Sequence, residues 1–182
     1  MKLIIGLGNP EKEYHGTRHN AGFEFVDHFQ TALQLPTFSL NTKFSAEISE
    51  GHHASYGKIV LAKPQTFMNR SGSAVHAIID YYKIPLSDVV IVHDDLDIEI
   101  GHYKTSHNIR AAGHNGVQSI IDQLGTQNFT RIRIGVEALG GRTERAQIPG
   151  DAFVLQKFSS AEHELLLTAI QEIITDIQKT AF

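Results

Sequence analysis

No cysteine occurs among the 182 residues. That absence excludes disulfides, thiolate nucleophiles and cysteine-rich zinc sites together, and it is compatible with a reducing cytoplasm. No apolar run approaches the roughly 20 residues that a membrane-spanning helix needs. The first apolar run starts almost at Met1, so no secretory leader is expected ahead of it. Excess positive charge is missing as well: the net charge is −4 and the isoelectric point about 6.2. Any contact with nucleic acid must therefore come from a local basic patch. There is no G-x-S-x-G elbow, which argues against a serine hydrolase and leaves water as the nucleophile of any hydrolytic reaction. Gly6-x-Gly8 begins like a dinucleotide fingerprint, but Glu11 stands where the third glycine belongs. A carboxylate there would repel a pyrophosphate, and the glycines read instead as a tight turn.

What is present describes a globular chain. Hydrophobic residues make up 41% and charged residues 20%, enough for a core without staples and too apolar for global disorder. Lys2 to Leu7 is a continuous apolar run, the mark of a buried strand, and Gly8 to Arg18 reads as a loop. A helix is predicted from about Asn20 to Leu33, with Phe23, Val26 and Phe29 at helical spacing and Asn20 as its N-cap. Ser45 to Ile48 and Lys58 to Ala62 read as strands joined through a turn at 51–57, with Pro64 ending the second. Ser71 to Tyr82 should be helical, and Val89 to Val92 a buried strand running into His93, Asp94 and Asp95. Gly116 to Leu124 reads as a helix opening behind Asn115, and Thr130 to Val136 as a strand. The last helix starts at a capping box, Ser159 with Glu162, and carries Leu166, Ile170, Ile173 and Ile177 on one stripe. Alternating strands and helices imply an α/β fold: a single domain over 1–182, with a mixed twisted β-sheet and helices on both faces. Ligands of such sheets gather outside the carboxyl ends of the strands.

Three polar segments fall at those ends. His19 joins a polar loop to a helix start and is flanked by Arg18 and Asn20, unlike a histidine in an aliphatic core. A neutral imidazole suits general-base work near pH 7. It needs an acceptor on its other nitrogen, and Asp94 is the best candidate. His93-Asp94-Asp95-x-Asp97 is open to a second reading as a hard-metal site, although neighbouring strand residues point to opposite faces. Asn9, Asn69 and Asn115 each stand beside a turn or helix start. They read equally as caps or as amide donors converging on a carbonyl. Phe67 and Met68 offer apolar surface or ordinary core. Lys104, Arg110, Arg131, Arg133, Arg142 and Arg145 form a loose basic set. Arg131 and Arg133 share a strand face, where like charges call for solvent or an anion.

These features fall in an order that resembles the bacterial-type peptidyl-tRNA hydrolases. The matching stretches are LIIGLGNP (Leu3 to Pro10), EYHGTRHNAG (Glu13 to Gly22), KPQTFMNRSG (Lys63 to Gly72), HDDLD (His93 to Asp97), GHNG (Gly113 to Gly116) and RIRIGV (Arg131 to Val136). The resemblance implies an esterase that frees tRNA from an N-blocked aminoacyl or peptidyl group, with no metal or other cofactor. It implies His19 as the base, Asp94 as its orienting carboxylate and Asn115 near the reacting carbonyl. Asn69 and Phe67 become substrate contacts, and Asn9 the discriminator of blocked from free amino groups. Tyr14 and Arg133 become contacts to the tRNA, whose acceptor stem and 3′ end are the expected partner. A cytoplasmic monomer without membrane attachment is expected. The chain departs from the pattern at Glu11, where the family has glycine, and at Ser106 to Gly116 (SHNIRAAGHNG), which has lost most of the loop's glycines. Ser106 stands where a basic residue is usual, so Lys104 or Arg110 is expected to compensate. The basic C-terminal tail, ending at Phe182, is expected to be short.

Overall fold

The structure, a computed structural model, describes residues 1–145 and 148–180; the side chains of 142 and 144, and the end of the chain including Phe182, lie outside the described residues. Among the described residues the strands are β1 (Lys2–Gly6), β2 (Ser39–Asn41), β3 (Ala46–His53), β4 (Gly57–Pro64), β5 (Val89–Glu99), β6 (Tyr103–His107) and β7 (Thr130–Glu137). The helices are α1 (Ala21–Ala32), α2 (Ser71–Tyr82), α3 (Asn115–Leu124), α4 (Arg142–Arg145), α5 (Gly150–Val154) and α6 (Ser160–Thr180). The strands form one sheet in the order β2-β3-β4-β1-β5-β7-β6. Its centre, β4-β1-β5-β7, is parallel, while β2, β3 and β6 add antiparallel edges. The expected α/β architecture with a mixed sheet is thus present.

The apolar run of β1 serves both faces, as a central parallel strand should. Ile4 joins Phe25 and Phe29 of α1 and Ile170 and Ile173 of α6 in one core layer. Leu3, Ile5 and Leu7 face Val75 and Ile78 of α2 and Val117 and Ile120 of α3 in the other. The phenylalanines are fully buried, and removing either ring should cost about 3–5 kcal/mol.

Several boundaries differ from the sequence reading. The N-terminal part of the predicted first helix is a separate 3-10 turn, Arg18–Asn20. The hairpin β3–β4 is longer than expected and includes Pro64, and β5 continues through the acidic stretch to Glu99. The edge strands β2 and β6 have no counterpart in the sequence reading. Their residues are mostly exposed and polar, so neither a buried run nor a clean alternation announces them.

Two glycines bring the first helix onto the sheet. A Cβ on Gly6 would sit 2.1 Å from the Gly22 carbonyl oxygen, and one on Gly22 only 2.4 Å from that of Val92. The start of α1 is therefore pressed against the end of β1 and the middle of β5, and the turn before it delivers His19 to Asp94. The role of Gly6 is close helix–strand approach rather than a nucleotide loop.

Candidate active site

Asp94 lies within β5, next to the last regular pairing with β7 at Asp95, and is 2% exposed. His19 Nδ1 lies 2.9 and 3.0 Å from its two carboxylate oxygens, and His114 Nε2 lies 2.9 Å from Oδ1. The protonation of His114 follows from its other nitrogen. Its Nδ1 accepts the N–H groups of Gly116 and Val117 at 3.1 and 3.3 Å, capping α3. An accepting Nδ1 carries no proton, so Nε2–H donates to Asp94. The N-cap of α3 is thus His114, one residue ahead of the Asn115 that the sequence reading placed at the helix start. Asn115 is the exposed first residue of the helix.

His19 donates its Nδ1–H to the same carboxylate, which leaves the Nε2 lone pair as the basic atom. No hydrogen bond among the described residues uses Nε2, and the ring lines the principal cleft. Only 11% of the side chain is exposed, so it reaches solvent through the cleft alone. Burial lowers the His19 pKa, but the charge and hydrogen bonds of Asp94 outweigh it and hold the value above the ordinary 6.5. Asp94 stays ionised: burial opposes its charge, and the two histidines overcome that and hold it far below the usual carboxylate range. His93, behind His114 with ring centroids 4.6 Å apart, gives its Nδ1–H to the Asp94 carbonyl at 2.7 Å. Burial first, with His114 beside it, pushes His93 well below the ordinary histidine value.

His19, Asp94 and His114 are close enough to raise the question of a metal. The cap of α3 bears on it: with His114 Nδ1 accepting from Gly116 and Val117, Nε2 carries the proton, and using it as a metal ligand would give up that cap. Asp95 belongs to a different set, accepting Arg133 Nε at 2.7 Å and the Asp97 N–H at 2.8 Å.

The cleft holds about 630 Å³ and brings together Asn9, Tyr14, His19, Phe67, Asn69 and Asn115, a volume within the usual range for small-molecule sites. Phe67 is 47% exposed and Asn69 is exposed, while neighbouring Met68 is buried. Asn9 is fixed from three sides. Its side-chain oxygen accepts the Met68 N–H at 2.9 Å. The carboxamide of Asn20 bridges the N–H and C=O of Asn9 at 2.8 and 3.0 Å. Asn20 occupies the N-cap position of α1 but makes no capping bond; its side chain holds Asn9 instead. With its oxygen turned to Met68, Asn9 keeps its NH2 group as a donor. Among the described lining residues there is no serine, threonine or lysine, whereas Asp95, Asp97 and Asp151 are there.

The basic residues do not converge on this cleft. Arg133 is outside its lining, bound to Asp95 and 3.5 Å from Ser106 Oγ, with Lys104 as its direct cross-strand neighbour. Arg110 is exposed. Arg145 lines the cleft and pairs with Glu137 at 3.2 Å; the side chain of Arg142 lies outside the described residues. Arg131 meets neither solvent nor an outside anion. It is 1% exposed and donates to the carbonyls of Ile109 and Arg110 at 2.6 and 2.8 Å, holding the loop that leads to His114.

Fold and site define an α/β protein in which His19, Asp94 and His114 meet beside a cleft at the carboxyl ends of the central parallel strands. A family model described as peptidyl-tRNA hydrolase matches residues 3–181. A peptidyl-tRNA hydrolase of Trichodesmium erythraeum is 44% identical, covering 96% of this chain and 80% of the relative. One from Listeria monocytogenes is 43% identical over 100% of this chain and 95% of its own length. The crystal structure of peptidyl-tRNA hydrolase from Acinetobacter baumannii superimposes with a TM-score of 0.86 at 34% identity, covering 98% of this chain and 87% of that one. The chain belongs to the peptidyl-tRNA hydrolase family.

Proposed function

We propose that this peptidyl-tRNA hydrolase cleaves the ester between an N-blocked aminoacyl or peptidyl group and the terminal ribose of tRNA, with His19 as general base. Neutral His19 keeps Nδ1–H on Asp94 and accepts a water proton at Nε2. The water oxygen attacks the ester carbonyl. Asn115, with Asn69, donates to the oxygen that becomes negative. The tetrahedral centre then expels the ribose oxygen, which takes the proton back from His19. Free tRNA returns to translation and an N-blocked amino acid or peptide is released. The observation that supports this reading most is the double use of Asp94 by His19 Nδ1 and His114 Nε2, which favours Nε2 of His19 as the basic atom.

Asn9 reads the block. Its NH2 group can donate to the acyl carbonyl of a blocked substrate, whereas a free ammonium offers no acceptor and leaves the donor unpaired. Tyr14 and Phe67 offer ring surface to the 3′ end. The carboxylates of the cleft disfavour phosphates inside it, so the acyl end enters while the acceptor-stem backbone stays outside, toward Arg133 and Lys104. No helix among the described residues is long and apolar enough to cross a membrane. We place the activity in the cytoplasm, carried by a monomer in which 1–182 acts as one domain. The test compares release of N-acetylated amino acid from charged tRNA with release from the same tRNA bearing a free amino group. Hydrolysis of the acetylated form alone supports the reading, and equal hydrolysis of both contradicts it.

A further inference from the structure

Arg18 precedes the base in sequence, yet it is 4% exposed and faces away from the chemistry. Its NH1 donates to the carbonyls of Gln156 and Lys157 at 3.2 and 2.9 Å. Its NH2 donates to Glu162 Oε1 at 2.5 Å. The guanidinium carbon lies 4.2 Å from the Phe153 ring centre and 5.2 Å from that of Phe158. The backbone is stitched to the same segment. Arg18 N–H donates to Gln156 O, Phe158 N–H donates to Gly16 O, and Thr17 pairs with Lys157. Glu162 is meanwhile the capping-box carboxylate of α6, its other oxygen accepting from Ser159 N–H and Oγ at 2.8 and 2.9 Å. The segment so gripped continues from Val154 and Leu155, which line the cleft.

We propose that Arg18 is a positioning residue for hydrolysis: its buried guanidinium locks the turn carrying His19 to the α5–α6 connection and so fixes the base both on Asp94 and against the Val154–Leu155 wall. The chemistry needs arginine. A planar fork can meet two carbonyls, a carboxylate and a ring face at once, and a lysine ammonium cannot match that directional set. Burial raises the stakes, since donors left without partners are costly. A fully aliphatic residue would fill the space but would leave two carbonyls and Glu162 unmet.

The inference rests on the proposed role of His19, so its test carries a readout that does not need activity. Steady-state hydrolysis of N-acetylaminoacyl-tRNA, a pH–rate profile and an NMR titration of the His19 ring are compared for wild type, Arg18→Lys and Ser159→Ala. The last variant weakens the α6 cap without touching Arg18. Arg18→Lys should lower kcat about 10- to 100-fold through misplacement of the base while KM changes by less than about threefold. Groups facing the His19 ring are Asp94 from β5 and His114 from the turn before α3; Tyr14, Asp95, Asp97, Asp151 and Arg145 line the same cleft. Among them Asp94 supplies the upward shift. A ring drawn off Asp94 therefore titrates lower, both by NMR and in the acid limb. Ser159→Ala should lose stability but keep kcat and the His19 titration. An unchanged His19 titration and kcat in folded Arg18→Lys would overturn the proposal, as would a loss confined to KM or an equal loss of kcat in Ser159→Ala. Should Arg18→Lys not fold, Glu162→Gln decides by the same criteria. An inactive wild type would contradict the functional reading, while the NMR comparison would still decide the role of Arg18.

Discussion

His114 shares a single carboxylate oxygen with His19: each ring places a nitrogen 2.9 Å from Asp94 Oδ1. The consequence is a chain of fixed proton positions. Backbone N–H groups of α3 set the tautomer of His114, His114 then donates to Asp94, and Asp94 retains the charge that orients His19. The helix start and the base are thus linked through one buried carboxylate.

The pH dependence of kcat/KM follows from that carboxylate. As the proposed base, His19 has to work unprotonated, and Asp94 raises its pKa. The acid limb should therefore have its midpoint above 6.5. A midpoint at or below that value would mean that Asp94 does not hold the ring in solution.

Asp94→Asn should be nearly as harmful as loss of His19, at least about 10²-fold in kcat. An amide offers one acceptor and one donor where two N–H groups converge. His114 cannot turn without giving up its cap, so His19 must yield, and its Nε2 then carries the proton. A loss below tenfold, measured in single turnovers, would show that the tautomer is not set this way. The same variant reports on stability. Asp94 has a depressed folded pKa, so its contribution is present above the ordinary carboxylate value of 3.8 and is lost as pH falls below it. Denaturant midpoints of wild type should decline through that acid range more steeply than those of Asp94→Asn.

Two variants separate the duties of His114. His114→Asn keeps a capping acceptor but removes the donor to Asp94, and should lower kcat with little loss of stability. His114→Ala removes both, and should also lose about 1 kcal/mol of stability from the cap. Equal stability of the two in urea would mean that the cap contributes nothing.

Asn9→Asp should erode discrimination between blocked and free aminoacyl-tRNA. One carboxylate oxygen can still accept from Met68 N–H, and the other replaces the NH2 donor, welcoming an ammonium. Unaltered rejection of free aminoacyl-tRNA would remove Asn9 from selectivity.

Much of this site was legible in the sequence. The buried runs of β1 and β5 point directly to the places where Asn9 and Asp94 stand, and the polar turn before α1 points to His19. His114 is not evident from the GHNG stretch because Asn115 is an equally good cap by residue type; the signal for it is a histidine immediately ahead of an apolar helical pattern. Arg131 escaped for a different reason. Strand alternation gives the face of a residue, not its depth, and the loop that covers Arg131 is distant in sequence. That loop also keeps left-handed backbone at Asn108 and Ala112, φ 53° and 51°, although glycines are scarce there. Asparagine tolerates that region, while alanine is strained by about 1–2 kcal/mol. Composition alone does not reveal such a conformation.

The role proposed for Arg133 is in tRNA affinity rather than chemistry. It is bound to Asp95, so a phosphate must share it. Arg133→Ala should reduce the slope of log K against log salt by about 0.7–0.9 if one contact is lost. An unchanged slope would remove the phosphate assignment.

Activation of water by His19 is checked by single-turnover hydrolysis of N-acetylaminoacyl-tRNA by His19→Ala, with a chelator present throughout. Wild type should keep full activity under chelation, and the variant should lose about 10² to 10⁴ with its circular dichroism unchanged. Near-normal turnover by His19→Ala, or collapse of wild-type activity on chelation, would contradict it.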